Sequence, residues 1–424
     1  MIYSFQGGSD GYEPSAGLVS YAGNFYGTTA FGGAPGNGCV GGTVGCGTVF
    51  KLTSIGTESV LYSFAGAETG GTDGAEPFAP LIVKNGNLYG TTERGGTASE
   101  GGSGTLFELT PTGTETVLYS FCSLASCTDG AQPDAGIVFK GTTFYGTTRG
   151  GGTGFSGTVF KLVPPAVSGP WTESVVYPFT GGTGTGDGQN VYAGLLARGP
   201  NFVGTTTNGG AAGVGTVYMV TPRGVETVLY SFTGGADGGY PVDGLIADKA
   251  GNLYGTTGAG GATAPSGCGG AGCGAVFELS PPASPGGAWT ETVIYSFLGG
   301  TNGNDPAAGL LAKKAPLTGA VEALYGTTYE GGDLACNSGY DAGLGCGTVY
   351  ELTPPASPGG AWTETVLHAF AGSPDGAVPS APLIFKGSAH LLGTTIFGGT
   401  GAAPNCGQFG GISGCGTVFE VTTP

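Results

Sequence analysis

The sequence predicts an all-β protein, a seven-bladed β-propeller with four antiparallel strands in each blade. Three short motifs support this prediction, because each recurs seven times in one order: Gly-Thr-Thr, then a Gly-Thr-Val-Phe-like segment, then a Tyr-Ser-Phe-like segment. The repeat of Gly-Thr-Thr has a long and fairly regular spacing, and a fixed motif order at such a period indicates a tandem repeat. No stretch keeps a 3.6-residue apolar period, and the 93 glycines oppose long helices.

Each repeat contains four short runs of β-branched and aromatic residues, the composition that is typical of strands. In the second repeat these runs cover 79–84, 87–92, 104–110 and 115–121. Asn85-Gly86 between the first two predicts a tight hairpin, since both residue types tolerate the positive φ of a two-residue turn. Four antiparallel strands per repeat, arranged radially, form a propeller blade. From the central channel outward we call them A, B, C and D.

The two ends of the chain indicate a closed ring. Residues 1–5 align with residues 60–64, which form a strand D, whereas residues 416–424 form a strand C. The N-terminal strand is therefore expected to complete the last blade and to remove an exposed sheet edge, in preference to the alternative of a linear β-solenoid. We predict one domain, 1–424, with blades at about 14–64, 77–121, 133–179, 191–232, 241–297, 306–370, and 379–424 together with 1–5.

A glutamate precedes strand D in six blades, and its seventh copy would fall before Met1. The sequence thus leads us to expect that this chain begins inside a longer precursor. The six residues are Glu58, Glu115, Glu173, Glu226, Glu291 and Glu364.

Composition argues against two classes of partner. The formal net charge is −17, from 29 acidic and 12 basic residues, whereas binding to nucleic acid or to an anionic membrane needs a basic surface. The sequence contains no apolar run long enough to span a bilayer as a helix, so we expect no insertion into a membrane.

The ten cysteines fall into five local pairs, which predicts disulfides. Zinc is the alternative, but two ligands per loop would need a second pair nearby, and His368 and His390 lie in neither kind of loop. Disulfides place the protein in a secreted, periplasmic or cell-surface location. The predicted pairs are Cys39 with Cys46, Cys122 with Cys127, Cys268 with Cys273, Cys336 with Cys346, and Cys406 with Cys415.

Four of these pairs lie in the longest B-to-C loops. Those loops are distinctly longer in blades five, six, seven and one than in the other three blades. Stiff loops on one arc of a rigid scaffold favour a pre-organised binding surface, although drift in loop length with disulfides for protease resistance is an alternative. The candidate binding residues on the arc are Phe31, Tyr329, Leu334, Tyr340, Phe397 and Phe409.

An acidic residue or amide followed by glycine recurs before strand A. Such pairs are typical of turns in which the side chain accepts a backbone hydrogen bond. The alternative is a ring of acids that binds calcium at the channel mouth; otherwise no cofactor is expected. The candidate metal ligands are Asp10, Asp73, Asp129, Asp187, Asp237 and Asp375, with Asn302 at the matching position of one blade.

One complete repeat, at 237–297, resembles the GloVer (Gloeo-Verruco) tandem repeat family. It carries Asp-Gly-x-x-Pro, then Gly244-Leu245-Ile246, then Gly251-Asn252-Leu253-Tyr254-Gly255-Thr256-Thr257, and ends with Gly-x-Val-Phe-Glu-Leu and Thr-Val-Ile-Tyr-Ser-Phe. The resemblance covers essentially the whole chain. It implies an exported bacterial protein and brings no established catalytic residues with it.

Sequence motifs for catalysis are poor, with two histidines, no Gly-x-Ser-x-Gly elbow and no His-Glu-x-x-His. We therefore expect a non-enzymatic module that uses the disulfide-rich face to bind a glycan or a protein at the cell surface, or to self-assemble. One alternative is an extracellular polysaccharide or lactone lyase or hydrolase with acids at the channel mouth. Another is a structural surface or fibre subunit.

Overall fold

The computed structural model describes residues 1–34, 39, 45–66, 72–97, 102–182, 186–262, 268, 272–284, 286–336, 344–357, 359–401, 406 and 413–424. Within them are seven four-stranded antiparallel sheets, each with its strands in the spatial order A, B, C, D. Six sheets follow the chain in this order, and the seventh takes its strand D from the N-terminus. The predicted seven-bladed, four-stranded architecture is confirmed. None of the helices in these ranges is long and apolar enough to cross a membrane.

The strands of each blade, with three short 3-10 turns between blades, have the following bounds. Blade one contains β2 (Val19–Tyr21), β3 (Asn24–Thr29), β4 (Thr48–Thr53) and β5 (Glu58–Ser63); blade two contains β7 (Ile82–Lys84), β8 (Asn87–Thr92), β10 (Thr105–Leu109) and β11 (Glu115–Ser120). Blade three contains β12 (Val138–Lys140), β13 (Thr143–Thr148), β14 (Thr158–Val163) and β15 (Thr172–Pro178); blade four contains β16 (Leu196–Arg198), β17 (Asn201–Thr206), β18 (Thr216–Val220) and β19 (Glu226–Ser231). Blade five contains β20 (Ile246–Ala247), β21 (Leu253–Thr257), β22 (Ala275–Ser280) and β23 (Thr290–Ser296); blade six contains β24 (Leu311–Lys314), β25 (Val321–Thr328), β26 (Thr348–Thr353) and β27 (Thr363–Ala369). Blade seven contains β28 (Ile384–Lys386), β29 (His390–Thr395), β30 (Thr417–Thr422) and β1 (Tyr3–Ser4); the ribbon strands β6 (Gly74–Ala75) and β9 (Arg94–Gly95) pair outside the blades, and the 3-10 turns are Gly8–Asp10, Ala125–Cys127 and Gly300–Asn302.

The N-terminal strand closes the ring, as expected. Tyr3 pairs with Val418 and Ser4 with Thr417, so β1 is strand D of blade seven. The hairpin in blade two is also confirmed, because Asn85 and Gly86 have φ values of 53° and 89°.

Strand A of blade two is shorter than the sequence predicted. It begins at Ile82 rather than at residue 79. Pro80 lies in the omitted segment and lines the central cavity, and proline has no N–H to donate to a ladder. The chain therefore enters the blade as an extended segment that faces the channel before pairing starts.

The three repeated motifs meet at the contact between neighbouring blades. In blade five, Gly255 lies opposite Phe277 in the ladder, and a Cβ on this glycine would be 2.6 Å from the Phe277 ring. The Tyr-Ser-Phe motif of blade four supplies Phe232, whose ring packs edge-on against Phe277 with 5.2 Å between centroids. Glycine is required because the buried ring occupies the space that a side chain would fill.

The two threonines of Gly-Thr-Thr make different hydrogen bonds. Thr28 Oγ1 donates to the Pro77 carbonyl of the next blade at 2.9 Å. Thr29 Oγ1 lies 2.8 Å from Thr48 Oγ1 on strand C of its own blade. In blade one the first threonine therefore links blades and the second links strands, with both hydroxyls paired in the core.

Candidate ligand site at the channel mouth

A cavity of about 540 Å³ lies on the axis of the ring. Its walls come from the segments that enter strand A in all seven blades, which identifies it as the central channel. The residues that line it, one from each blade in turn, include Ser15, Phe78, Asp134, Tyr192, Val242, Ala307 and Ser380.

The channel mouth consists of two kinds of segment: the last residues of each D-to-A crossing, and the first two residues after each strand B. One position in the crossing has positive φ in every blade, between 53° and 60°. Non-glycine residues adopt this conformation uncommonly, so the surrounding hydrogen bonds must hold it. The seven residues are Glu13, Glu76, Gln132, Asn190, Tyr240, Asp305 and Val378.

The hydrogen bonds that hold these residues connect neighbouring blades. The N–H of Glu76 donates to the Cys46 carbonyl at 2.9 Å, and the N–H of Val378 donates to the Cys346 carbonyl at 2.9 Å. Both acceptors are disulfide cysteines that end long B-to-C loops. The disulfide loops and the channel mouth therefore lie on one face of the ring and are directly connected.

All five predicted disulfides are present. The bonds join Cys39 to Cys46, Cys122 to Cys127, Cys268 to Cys273, Cys336 to Cys346 and Cys406 to Cys415.

The backbone of the mouth repeats in every blade, but the side chains do not. Blades two and three carry a polar network centred on Arg149, whose guanidinium binds Glu93 Oε1 at 3.0 Å and Asp134 Oδ2 at 3.2 Å. Gln132 Nε2 also donates to Glu93 Oε1, at 3.2 Å. One guanidinium thus serves two carboxylates, and on its other side it lies 5.3 Å from the centre of the Tyr192 ring.

Asp134 is the most perturbed member of this network. Its side chain is 8% exposed, and within the described ranges its Oδ1 has no hydrogen-bond partner although the residue lines the cavity. Burial and the nearby charge of Glu93 raise the pKa of Asp134 to about 8, against the opposing effect of Arg149. A buried acceptor without a donor is costly, and protonation of the carboxyl reduces this cost. Oδ1 is itself buried and out of reach of a ligand in the cavity.

A second pair of acids adjoins the network. Burial and the charge of Glu76 raise the pKa of Glu13 to about 7. Glu76 itself pairs with Arg94 at 3.2 Å. Carboxyl groups therefore run without interruption along the mouth from blade one to blade three, with two arginines between them.

Asp243 breaks the symmetry of the channel wall in blade five. The other six blades have alanine at this position. The Asp243 carboxylate accepts the N–H groups of Gly244 and Gly309 at 2.5 and 2.6 Å, which joins blades five and six. Burial raises the pKa of Asp243 to about 6, while these two bonds act in the opposite direction.

The candidate binding residues of the disulfide arc occupy different environments. Phe31 stacks on Tyr12 with 5.4 Å between ring centroids, and Tyr329 packs against the core between blades six and seven. Leu334 is exposed, whereas Phe397 is buried in the core. Tyr340 and Phe409 lie outside the described residues. Their shared binding role stays a prediction, and Phe397 has its ring in the core instead of at the surface.

The acids proposed as calcium ligands do not face the channel, so the expected position is wrong. Each carboxylate lies against the outermost strand: Asp73, for example, accepts the Tyr62 hydroxyl at 2.8 Å and the N–H groups of Ala65 and Gly66 at 2.9 and 3.0 Å. Asp10, Asp129, Asp187 and Asp237 likewise accept a tyrosine hydroxyl, and Asp375 binds His368. No group of three or more His, Cys, Asp or Glu side chains suited to a metal occurs in the described part of the chain, and calcium binding stays a prediction.

The network at the mouth is absent from the predictions made from the sequence. Its signal was present, since the residue that follows the Thr-Thr pair, or its equivalent, is Ala30, Glu93, Arg149, Thr207, Gly258, Tyr329 and Ile396 in blades one to seven. Two adjacent blades thus carry charges of opposite sign at one repeat position. An alignment of the seven repeats shows this pair of opposite charges, but only the fold shows that both side chains reach one cavity.

A closed ring of seven sheets with five disulfides defines a disulfide-bonded β-propeller. The chain belongs to the Gloeobacter/Verrucomicrobia repeat family, whose model matches residues 1–160, 40–263 and 125–339. The resemblance to the GloVer repeat is thereby confirmed. A comparison with curated proteins gives no match.

Solved structures with similar architecture have low sequence identity to this chain. A hypothetical selenium-binding protein from Sulfolobus tokodaii has 9% identity, covers 90% of this chain and 84% of its own, and has a TM-score of 0.54. A protein from Thermus thermophilus described as a putative oxidoreductase (glucose dehydrogenase) has 16% identity, 82% and 96% coverage, and a TM-score of 0.43. An endo-arabinase from Bacteroides thetaiotaomicron has 13% identity, 69% and 97% coverage, and a TM-score of 0.31. At 9% identity, the similarity to the Sulfolobus tokodaii protein shows the fold alone.

Proposed function

We propose that this protein is an extracellular binding module that holds a glycan or a similar polyhydroxylated ligand at the channel mouth. The observation that carries the proposal is the cavity of about 540 Å³, which is lined by the ionic network of Asp134, Glu93 and Arg149 and by aromatic rings. Arg149 is the more exposed member of the network, with 25% of its side chain exposed, and its guanidinium would donate to a ligand hydroxyl.

The surrounding groups match the chemistry of such a ligand. Polar side chains fix orientation in a pocket while aromatic rings supply contact area. Glu93 and Arg149 line the cavity beside Asp134 and provide an acceptor and a donor. The rings of Phe78 and Tyr192 line the same cavity. Tyr192 is 38% exposed, so its ring is available for stacking on a sugar.

The disulfide loops support the same proposal. Cys46 and Cys346 accept the backbone N–H groups of mouth residues, and a cross-linked loop loses less conformational entropy when a ligand binds. Five disulfides also favour a secreted, periplasmic or cell-surface location.

A glycan array followed by calorimetric titration tests the proposal. Arg149→Gln removes the guanidinium that lines the cavity and is expected to weaken binding of any captured glycan by about tenfold, the loss of one hydrogen bond to a charged group. Arg223→Gln is the matched control, because Arg223 is an exposed arginine in the turn between strands C and D of blade four, whereas the mouth residues follow the end of strand B. Equal binding by both variants and the parent would contradict a site at the mouth.

A hydrolase or lyase is the second candidate, and one observation favours it. Asp134 has a raised pKa of about 8, and it shares Arg149 with a second carboxylate, Glu93. Two neighbouring carboxyl groups, one of them with a raised pKa, can serve as general acid and base for cleavage of a glycosidic bond. Turnover of a polysaccharide that disappears in Asp134→Asn while binding persists would support the enzyme, whereas binding without turnover would exclude it for the polysaccharides assayed.

A further inference from the structure

The charges of this chain are distributed unevenly, although the net charge is −17. The seven A-to-B hairpins, at 21–24, 84–87, 140–143, 198–201, 247–252, 313–322 and 386–390, contain seven of the 12 basic residues and two of the 29 acidic ones. The D-to-A crossings and B-to-C loops, in contrast, contain two basic residues, Arg94 and Arg149, within the described ranges. The hairpins therefore carry a net positive charge. Their basic residues are Lys84, Lys140, Arg198, Lys249, Lys313, Lys314 and Lys386.

The fold places these residues around the axis of the ring. Strand A ends on a basic residue in blades two, three, four, six and seven, and blade five carries Lys249 in the turn that follows. Strand A is the innermost strand of a blade, and it runs from the mouth toward the hairpin. The basic residues thus surround the end of the channel that lies opposite the mouth.

Contacts between hairpins join the basic residues of blades two to six, which we call the basic strip. Lys84 Nζ donates to the Gly141 carbonyl of blade three at 3.3 Å. Lys140 Nζ donates in turn to the Gly199 carbonyl of blade four at 2.8 Å. The first three hairpins of the strip are therefore in direct contact. Its members are Lys84, Lys140, Arg198, Lys249, Lys313 and Lys314.

The other half of the strip is connected in the same way. Arg198 Nη2 donates to the Gly251 carbonyl of blade five at 3.2 Å. The stem of Lys249 lies against Gly319 of blade six, where an added Cβ would be 2.8 Å from the Lys249 Cβ. The positive charges therefore form one continuous arc over five blades.

The cations of the strip contact neutral groups. Besides the backbone carbonyls, Lys84 Nζ lies 4.9 Å from the centre of the Phe139 ring, and the Arg198 guanidinium lies 4.8 Å from that of Trp289. No salt bridge in the described part of the chain includes a member of the strip, whereas Lys386 outside it pairs with Glu420 at 2.9 Å. An ammonium has three N–H donors and a guanidinium five, so both charge and donors remain for a ligand.

The two acids of the hairpins leave this charge in excess. Asp248 accepts the N–H groups of Gly251 and Asn252 at 2.8 and 2.9 Å, which is typical of an aspartate that stabilises a turn. Glu322 is exposed near the beginning of strand B in blade six. Six cations therefore face two carboxylates, one of which is engaged in a turn.

Two exposed aromatic rings accompany the cations. The Phe139 ring below Lys84 is 43% exposed. Tyr21 of blade one is 38% exposed, and its hydroxyl lies 3.3 Å from the Cβ position of Gly86 in the next hairpin. Aromatic rings supply contact area for an amphipathic ligand, and lysine and arginine supply charge-assisted hydrogen bonds to acidic groups.

We propose that the basic strip binds an acidic polysaccharide, whose carboxylate or sulfate groups pair with cations of successive blades while its sugar rings contact Tyr21 and Phe139. This site lies at the opposite end of the channel from the mouth and goes beyond the function proposed there.

The size and charge of the strip favour this class of ligand. Cations spread over five blades match an extended polyanion better than a small anion. A uronic acid polymer carries one charge per sugar, whereas duplex DNA carries one per about 1.7 Å of its axis. A ligand with fewer charges is repelled less by the acidic remainder of the chain.

Calorimetric titration of the full chain with two matched octasaccharides tests the proposal. One is octagalacturonate and the other is its complete methyl ester, which has the same rings without charge. Octagalacturonate is expected to bind at least about tenfold more tightly, the value of two or more exposed ion pairs. Raising the salt concentration from about 0.05 to about 0.5 M should weaken its binding and leave that of the ester unchanged, because salt screens exposed charges. A chondroitin sulfate octasaccharide shows whether sulfate replaces carboxylate as the preferred group.

Substitutions locate the binding. Lys249 and Lys313 are exposed and have no side-chain hydrogen bond within the described structure, so the double variant Lys249→Gln/Lys313→Gln should stay folded and bind about tenfold more weakly, about threefold for each lysine. Arg198→Gln should weaken binding by about threefold. Its matched control is Arg223→Gln, in the outer turn of the same blade, which should leave binding unchanged. Thermal midpoints check that every variant is folded.

The remaining outcomes decide against the strip. Equal binding of octagalacturonate and its ester would overturn the proposal, as would undiminished binding by the double variant and by Arg198→Gln. Binding that is lost in Arg149→Gln and kept in Arg198→Gln would assign the acidic glycan to the mouth instead. Failure of both acidic saccharides to bind, with or without binding of a single-stranded DNA octamer or of phosphatidylglycerol vesicles, would also overturn it. The glycan array with Arg149→Gln tests the mouth independently of all these results.

Discussion

Replacing Tyr218 with phenylalanine should stabilise this protein. Tyr218 is fully buried, and its hydroxyl has no hydrogen-bond partner within the described structure. The hydroxyl lies against the backbone of Gly204, because a Cβ on that glycine would be 2.6 Å from it. Tyr350 in blade six repeats the arrangement against Gly326, whereas the other five blades have phenylalanine at this position.

The expected gain follows from the buried hydroxyl. An unsatisfied buried polar group costs about 1–3 kcal/mol, and the change keeps the aromatic ring that packs edge-on against Phe179, with 5.0 Å between centroids. Taking the low end, Tyr218→Phe gains about 1 kcal/mol in the free energy of unfolding. With an unfolding entropy of about 2.1 cal/mol/K per residue, a chain of 424 residues would melt about 1 °C higher. Tyr350→Phe should add to this gain, because the two sites lie in different blades.

Differential scanning calorimetry of the single and double variants measures the gain. The control is Tyr325→Phe: the Tyr325 hydroxyl donates to Glu351 Oε1 at 2.9 Å in a buried site, so its loss leaves a carboxylate without that donor and should lower the melting temperature. If Tyr218→Phe lowers the melting temperature as Tyr325→Phe does, the Tyr218 hydroxyl has a partner and the reasoning is refuted.

Two further predictions concern the repeat and the contacts between blades. Gly255→Ala places a Cβ 2.6 Å from the buried Phe277 ring and should lower the free energy of unfolding by about 1–3 kcal/mol. The control is Gly235→Ala, whose Cβ would have its nearest atom 3.4 Å away and which should leave the denaturant midpoint unchanged. Equal midpoints for the two variants would contradict the steric argument. Burial and the charge of Asp129 raise the pKa of Glu173 to about 8, so the folded state holds this proton more tightly than the unfolded state. The contribution of Glu173 to the free energy of unfolding is therefore fully present below the ordinary carboxyl pKa and is lost as the pH rises toward 8. Urea midpoints of Glu173→Gln and of the parent, measured at acid and alkaline pH, should differ more in favour of the variant at alkaline pH, and a constant difference would contradict the pKa shift.

The sequence by itself determined the blade count, the order of strands, the ring closure and all five disulfides. These features depend on residues that are close in the chain or that repeat. Asn85-Gly86 sets a turn through its own φ values, and Cys39 needs only a partner seven residues away. Because each motif occurs seven times, every local prediction rests on seven copies and does not depend on any single atypical copy.

The tertiary structure alone decided where the chemistry lies. The sequence predicted a turn role for the recurrent aspartates and offered a ring at the channel mouth only as an alternative. Asp73 instead accepts the Tyr62 hydroxyl on the outermost strand, because that strand ends beside the turn once the blade is folded. Glu93 and Arg149 are 56 residues apart, and nothing local joins them. Only closure of the ring brings their two loops to one cavity, since contacts between blades depend on how the sheets pack and not on any one repeat.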